Sequence, residues 1–396
     1  MSATRIGIVT KEWPPAVYGG AGVHVVQLTQ ALRAVSGIEV DVHCFGGART
    51  DGAFGYDTPS EFSSANPALQ AIATDLLIAN NLHNVDVIHS HTWYANMAGH
   101  TASLLYGTPH IVSAHSLEPL RPWKAEQLGG GYQISSWAEK TSYEAAAAII
   151  AVSDGMRADV LAAYPSVDPK KVVTIRNGVD TSKFAPNNNP AVREEFGITG
   201  RYAMFVGRIT RQKGLAHLLR AWRDVPSEIA LVLAASHPDE PGIGREVAEL
   251  VAELQAERPN IIWIQEMLGR EELVALLSSA RIALVPSVYE PLGIVNLEAM
   301  ACGVAVVGTA TGGIPEVVDD GVTGRLVPID QVDDGTGTPV NPDQFVADLA
   351  RVLTEVVTNP ELCRQYGEAG RKRAEDHFAW NAIAERTEAL YRRLTA

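Results

Sequence analysis

Short runs of consecutive apolar residues alternate along this chain with longer segments whose apolar positions recur every three or four residues. A strand covered on both faces reads as an unbroken apolar run, so the alternation predicts parallel sheets flanked by helices. In the first half the strand runs are Arg5 to Thr10, Glu39 to Cys44, Asp86 to His89, His110 to Ser113, Ala148 to Val152 and Val172 to Ile175. Arg176 to Ala191 is rich in Asn and Pro and shows no periodicity, which reads as an interdomain connection. The alternation then restarts, with strands expected at Tyr202 to Val206, Ile229 to Ala234, Asn260 to Ile264, Arg281 to Val285 and Val304 to Val307. The expected architecture is α/β, two doubly wound Rossmann-like domains facing across a cleft, 1–178 and 179–378. Trp380, Ile383, Leu390 and Leu394 anchor a terminal amphipathic helix, and 379–396 is assigned back to the first domain.

Composition narrows the class of partner. At 396 residues the chain is long for one core, in keeping with two domains. Its formal net charge of -14 argues against nucleic acid or a membrane surface as partner, because both need a basic footprint. Any anionic ligand must be met by local cations. Cys44, Cys302 and Cys363 form no C-x-x-C, so neither a disulfide framework nor a thiolate metal site is expected. The apolar run before Lys11 and Pro14 is too short for a signal peptide, and glycines break Ala299 to Pro315, so a cytoplasmic protein is expected. Oligomeric state is not legible, and a homodimer stays open.

Ligands of open α/β sheets bind outside the carboxyl ends of strands, and the chemistry-bearing motifs fall there. Glu290-Pro-Leu-Gly-Ile-Val-Asn-Leu-Glu298 follows an apolar run and carries two acids on either side of Gly293. With a helix starting near Gly293, the acids lie on the order of 10 Å apart along it. Carboxylates that share work on one glycosidic bond face each other at roughly 5 to 10 Å. This pair suits the two ends of one extended ligand better. Backbone N–H groups at the helix start would lie between them, where a diphosphate fits.

Arg208 and Lys213, five apart in Phe-Val-Gly-Arg-Ile-Thr-Arg-Gln-Lys-Gly, supply the cations that a leaving diphosphate needs in the absence of a metal. No D-x-D occurs to carry a metal-bound nucleotide. Gly19, Gly20 and Gly22 lead into a helix after the first strand, which reads as a phosphate- or sugar-facing loop, with a plain structural turn as the rival. A nicotinamide fingerprint fits poorly: Val25 stands where the third glycine belongs, and Lys11 to Val17 separate strand from glycines. His89 and His91 share one strand face but no third ligand at metal spacing accompanies them, so no metal site is expected. His115 precedes a polar loop and is the better substrate contact. His91, Arg121 and Lys124 are the acceptor candidates, against a solvated basic loop. Gly312, Gly313 and Pro315 form a rigid turn after a further strand.

Together the E-x7-E and G-R-x4-K-G motifs resemble those of the retaining nucleotide-sugar glycosyltransferases of the GT-B fold, along essentially the whole chain. The segments KEWPPAVYGGAGVHV, HSHTW, AHSLEPLRPWKAEQLGGGY and EPLGIVNLEA resemble the actinobacterial type of glycogen synthase more closely. Members of that group are similar to α-maltose-1-phosphate synthases, which move glucose from ADP-glucose to glucose 1-phosphate. The resemblance implies an acceptor-binding first domain, a donor-binding second domain, and either that reaction or extension of an α-1,4-glucan in glycogen biosynthesis. It implies that Glu298 holds the donor ribose and Glu290 the transferred sugar. Arg208, Lys213 and the N–H groups of Gly293, Ile294 and Val295 would hold the diphosphate. His115 would contact the 6-hydroxyl side of the glucose, and the Gly19–Gly22 loop would close over the phosphates. No cofactor and no metal are implied. The chain departs from the K-x-G-G loop of other glycogen synthases, having Val17 before Tyr18-Gly19-Gly20. Rival readings are another transferase of the same family, a nucleotide-sugar epimerase, a dinucleotide dehydrogenase and a non-catalytic sugar-nucleotide module.

Overall fold

The computed structural model describes residues 3–121, 124–125, 129–236, 238–334 and 336–396. Part of the Ala114 to Tyr132 motif lies outside these residues. The chain divides into two compact units, one formed by Met1–Gly178 with Trp380–Ala396 and the other by Val179–Ala379.

The first unit is built on a seven-stranded parallel sheet in the order β3-β2-β1-β4-β5-β6-β7. The strands are β1 Thr4–Thr10, β2 Ile38–Phe45, β3 Phe54–Tyr56, β4 Val87–His91, β5 His110–Ala114, β6 Ala148–Ala151 and β7 Val172–Thr174. All five residues of β4 and of β5 are buried, as strands covered on both faces require. Helix Gly20–Arg33 turns Val25, Leu28 and Leu32 onto Ile6 and Ile8. The terminal helix Trp380–Thr395 buries Trp380, Ile383, Leu390 and Tyr391 in that same cluster.

The second unit repeats the plan with a six-stranded parallel sheet, β10-β9-β8-β11-β12-β13. Its strands are β8 Tyr202–Val206, β9 Ala230–Ala234, β10 Ile261–Ile264, β11 Ile282–Val285, β12 Ala305–Thr309 and β13 Gly324–Val327. Leu218, Leu219 and Trp222 pack with Leu349, Leu353 and Val356 of helix Pro342–Val357 in one buried cluster.

In both sheets the order reverses beside the first strand, between β1 and β4 and again between β8 and β11. At such a reversal in an open α/β sheet the loops leave in opposite directions, and ligands bind in the crevice outside the carboxyl ends of the strands. The expected strands are all present. The two that sequence reading missed, β3 and β13, are the outermost strands of their sheets.

Candidate active site

In the second unit the expected residues meet at the β8/β11 reversal. Lys213 lies just past β8 in the turn Arg211–Lys213, which Thr210 caps by accepting from the Lys213 N–H. Gly214 follows with φ +64, and a Cβ there would sit 1.9 Å from the carbonyl oxygen of Pro286. Only glycine lets this turn press against the end of β11. A backbone bond from Val288 N–H to the Gln212 carbonyl, 2.9 Å, joins the two loops. The Lys213 ammonium thereby donates to Glu290 Oε2 at 2.6 Å, and Ser287 Oγ donates to the same oxygen at 3.0 Å.

Glu290 is only 6% exposed. Its backbone is clamped from the other side, where Gly313 N–H donates to the Glu290 carbonyl at 2.9 Å. Gly312, at φ +53, passes so close that a Cβ would lie 2.0 Å from that carbonyl oxygen. The rigid turn expected at Gly312 and Gly313 is therefore a support for the acid in front of it.

Gly293, at φ +91, caps helix Ile294–Ala301 with no side chain to satisfy the first turn. That leaves a helix start suited to an anion, three residues after the acid that holds Lys213. Glu298 lies within the helix and is partly buried; burial pushes its carboxyl up to about 7, while the nearby Lys213 charge pulls it back down. Arg208 is turned aside. Its Nη1 donates to both oxygens of Asp239 at 2.8 Å, so it enters as a half-exposed ion pair and not as a free cation.

In the first unit, Gly19–Gly22 lie between β1 and their helix. The Tyr18 and Gly19 N–H groups donate to the Glu12 carboxylate at 2.9 and 2.8 Å. A Cβ on Gly22 would stand 2.5 Å from Glu12 Oε2. Glu12 was not singled out in the sequence; its acid supplies a structural reason for glycine at 22 beside any ligand role.

Strand ends β4 and β5 bring His91 and His115 together, His91 Nδ1 lying 3.0 Å from His115 Nε2. Burial holds the His115 imidazole down near 4, so the ring is neutral at pH 7 and acts as a hydrogen-bonding group. His91 is fully buried behind this contact, where it can fix the His115 ring. The residue after it, Thr92, has φ +66 and ψ 158, a conformation strained for a β-branched side chain. Such strain next to a strand end marks a fixed geometry. His89 is fully engaged, by Tyr391 Oη at 2.7 Å and Ser113 Oγ at 2.8 Å, so both its ring nitrogens are taken up inside the unit.

The loop cations differ from one another. Arg121 Nη1 donates to Ser116 Oγ at 3.0 Å and stays partly exposed. Lys124 is not the solvated cation of the rival reading: it is 7% exposed, pairs with Glu118 at 3.3 Å, and burial lowers it to about 8.

Two parallel-sheet units, each with a reversal of strand order, and in the second a lysine on a carboxylate beside an uncapped helix start, have the plan of a GT-B glycosyltransferase, and comparisons with known proteins agree. Residues 18–183 match Glycosyltransferase Family 4 and residues 189–373 match Glycosyl transferases group 1. The chain is 49% identical over 397 residues to an alpha-maltose-1-phosphate synthase of Mycolicibacterium smegmatis, covering 99% of this chain and 100% of that one. Identity to the enzyme of the same description from Mycobacterium tuberculosis is also 49%, with the same coverage. Among solved structures, a sucrose-phosphate synthase from Thermosynechococcus elongatus has a TM-score of 0.79 at 23% identity, each chain covered to 99%. The catalytic domain of starch synthase IV from Arabidopsis thaliana has a TM-score of 0.75 at 17% identity, both chains covered fully. The chain belongs to the alpha-maltose-1-phosphate synthase family of GT-B glycosyltransferases, and it is a transferase. No described helix is long and apolar enough to cross a membrane.

Proposed function

We propose that this enzyme moves an α-glucosyl group from ADP-glucose to glucose 1-phosphate, forming α-maltose 1-phosphate with retention, and that extension of an α-1,4-glucan is a secondary use of the same site. The observation that carries the reading is the Lys213–Glu290 contact at the sheet reversal, next to the helix start at Gly293. A lysine held there by an acid faces an anion with its geometry already set, and full-length identity to alpha-maltose-1-phosphate synthases supports the acceptor.

In this reading Lys213 and Arg208, with the N–H groups of Gly293, Ile294 and Val295, take up the charge that grows on the departing diphosphate. Glu298 accepts from the ribose hydroxyls and Glu290 from the hydroxyls of the sugar. His115, a neutral ring, contacts the 6-hydroxyl side. Arg121 meets the acceptor phosphate, His91 positions His115, and Lys124 holds the acceptor loop through Glu118. The Gly19–Gly22 loop lies against the donor phosphates.

The bond from C1 to the diphosphate oxygen breaks, and the acceptor hydroxyl forms the new bond to C1 on the same face. Its proton passes to the departing diphosphate, so no enzymic nucleophile is needed. The residues contribute positioning and charge stabilisation, each worth several kcal/mol, with about 10²- to 10³-fold in rate resting on one such donor. The work falls to groups already held in place, and none of them requires a metal. Cytoplasmic activity on small soluble sugars fits this reading. The anomeric configuration of the product tests it: an α linkage by NMR is expected, and a β linkage overturns the mechanism.

A further inference from the structure

The fold gathers three histidines that the sequence keeps far apart. His24 comes from the helix after β1, His91 from the end of β4 and His115 from just beyond β5, and one ring nitrogen from each lies within 4.8 Å of the others. Among the described residues this is the one group of histidine, cysteine or acid side chains placed to hold a metal ion. The rings of His24 and His115 are 4.7 Å apart at their centroids, those of His91 and His115 5.3 Å.

Their hydrogen bonding is incomplete. His24 is 3% exposed and neither of its ring nitrogens makes a well-formed hydrogen bond, although Asn177 lies beside it, and Nε2 of the fully buried His91 has no partner. A buried polar atom left without a partner costs about 1–3 kcal/mol, and His24 and His91 both carry such atoms. His89, a neighbouring buried histidine, contrasts with them in having hydroxyl partners on both ring nitrogens, Tyr391 and Ser113.

We propose that His24, His91 and His115 form a binding site for a divalent transition ion of the Zn²⁺ class. Neutral imidazoles suit Zn²⁺, Co²⁺ and Ni²⁺, whereas Mg²⁺ and Ca²⁺ need oxygen ligands that the trio does not offer. At Zn–N distances of about 2.0–2.1 Å, tetrahedral ligand nitrogens stand roughly 3.3 Å apart, so the rings close by at most about 1.5 Å from their 4.8 Å limit. Asn177 lies beside His24 with its own carbonyl oxygen unpartnered, and it would accept the N–H that a metal-bound His24 keeps on its other nitrogen. Partial exposure of His115 gives the ion its way in and leaves a fourth position for water.

The consequence for turnover rests on the function proposed above: an ion on His115 withdraws that ring from the sugar, so the site is inhibitory.

Binding is measured on the full chain with Zn²⁺ against a chromophoric chelator, and with Co²⁺ by its visible absorption. One equivalent per chain and an intense tetrahedral Co²⁺ band are expected. Asn177→Ala should weaken binding about 10- to 100-fold and His24→Gln or His91→Gln further, while His83→Gln, on the surface, leaves it unchanged. The Co²⁺ spectrum of the wild-type chain decides the coordination even where a buried variant fails to fold. No uptake at millimolar metal, an octahedral spectrum, or uptake unchanged in folded His24→Gln and His91→Gln overturns the site. Zn²⁺ held by the trio with turnover intact keeps the site and overturns His115 as a sugar contact.

Discussion

Lys213 and Glu290 meet at 2.6 Å although 77 residues separate them, because the turn after β8 and the loop after β11 are pressed together at Gly214 and Pro286. Isolated lysine–carboxylate pairs at a surface contribute little. This one is largely buried, and its use is to fix an ammonium at a helix start where an anion would bind.

Replacing Lys213 by Ala should lower kcat about 10²- to 10³-fold, the usual cost of removing one preorganised donor. It also leaves the buried Glu290 carboxylate with Ser287 as its remaining donor, so unfolding free energy should fall by about 1–3 kcal/mol. Steady-state kinetics beside a urea titration check both. An unchanged kcat removes Lys213 from the chemistry.

Two glycines separate strain from position. A methyl group at Gly312 would stand 2.0 Å from the Glu290 carbonyl oxygen, whereas at Gly321, φ +75, it would meet nothing within 4 Å. Gly321→Ala should therefore cost about 1–3 kcal/mol of backbone strain and leave kcat unchanged. Gly312→Ala pays the same strain and also displaces Glu290, so kcat/KM for the donor should drop at least about tenfold. Equal activities in the two folded variants would show that Glu290 is not held from behind.

Glu298 sets the expected pH response. With its carboxyl raised to about 7 by burial, it is about 90% protonated at pH 6 and about 90% ionised at pH 8. Ribose hydroxyls donate to the ionised form, so donor Kd should be about tenfold weaker at pH 6 than at pH 8. Glu298→Gln should flatten that dependence; calorimetric titration of the donor at the two pH values measures it. For stability the sign is opposite. The folded chain keeps a proton that the unfolded chain releases near pH 4.3, so this residue's contribution declines as pH rises from there to about 7 and is constant above.

Tyr391 belongs to the terminal helix yet its hydroxyl bonds His89 Nδ1 at 2.7 Å inside the first unit. Tyr391→Phe removes a buried partner and should lower the unfolding free energy by about 1–3 kcal/mol, seen in a denaturant titration, with kcat unaltered. A large fall in kcat would give the terminal helix a part in catalysis.

Fold class was legible because buried parallel strands announce themselves as apolar runs. β3 and β13 escaped because each is a short edge strand carrying a glycine that another backbone approaches. A Cβ on Gly55 would lie 2.0 Å from the Gly47 carbonyl oxygen, and one on Gly324 2.2 Å from that of Val306. At the site, motif spacing led to Lys213, Glu290 and the helix start at Gly293, since these follow strands directly. Glu12 and Asp239 were hidden: an acid that holds a loop or turns Arg208 aside looks in sequence like any surface acid. His24 was hidden for another reason. It sits among valines on an apolar helix face, and only the sheet order brings it to His91 and His115.

The proposed reaction is tested most directly by giving the purified protein ADP-glucose or UDP-glucose with glucose 1-phosphate or glycogen, and identifying the products by mass and NMR. ADP-glucose with glucose 1-phosphate should yield α-maltose 1-phosphate faster than any other pairing yields product. Failure to form a disaccharide phosphate from either donor, or equal consumption of the nucleotide sugar when no acceptor is present, would contradict it.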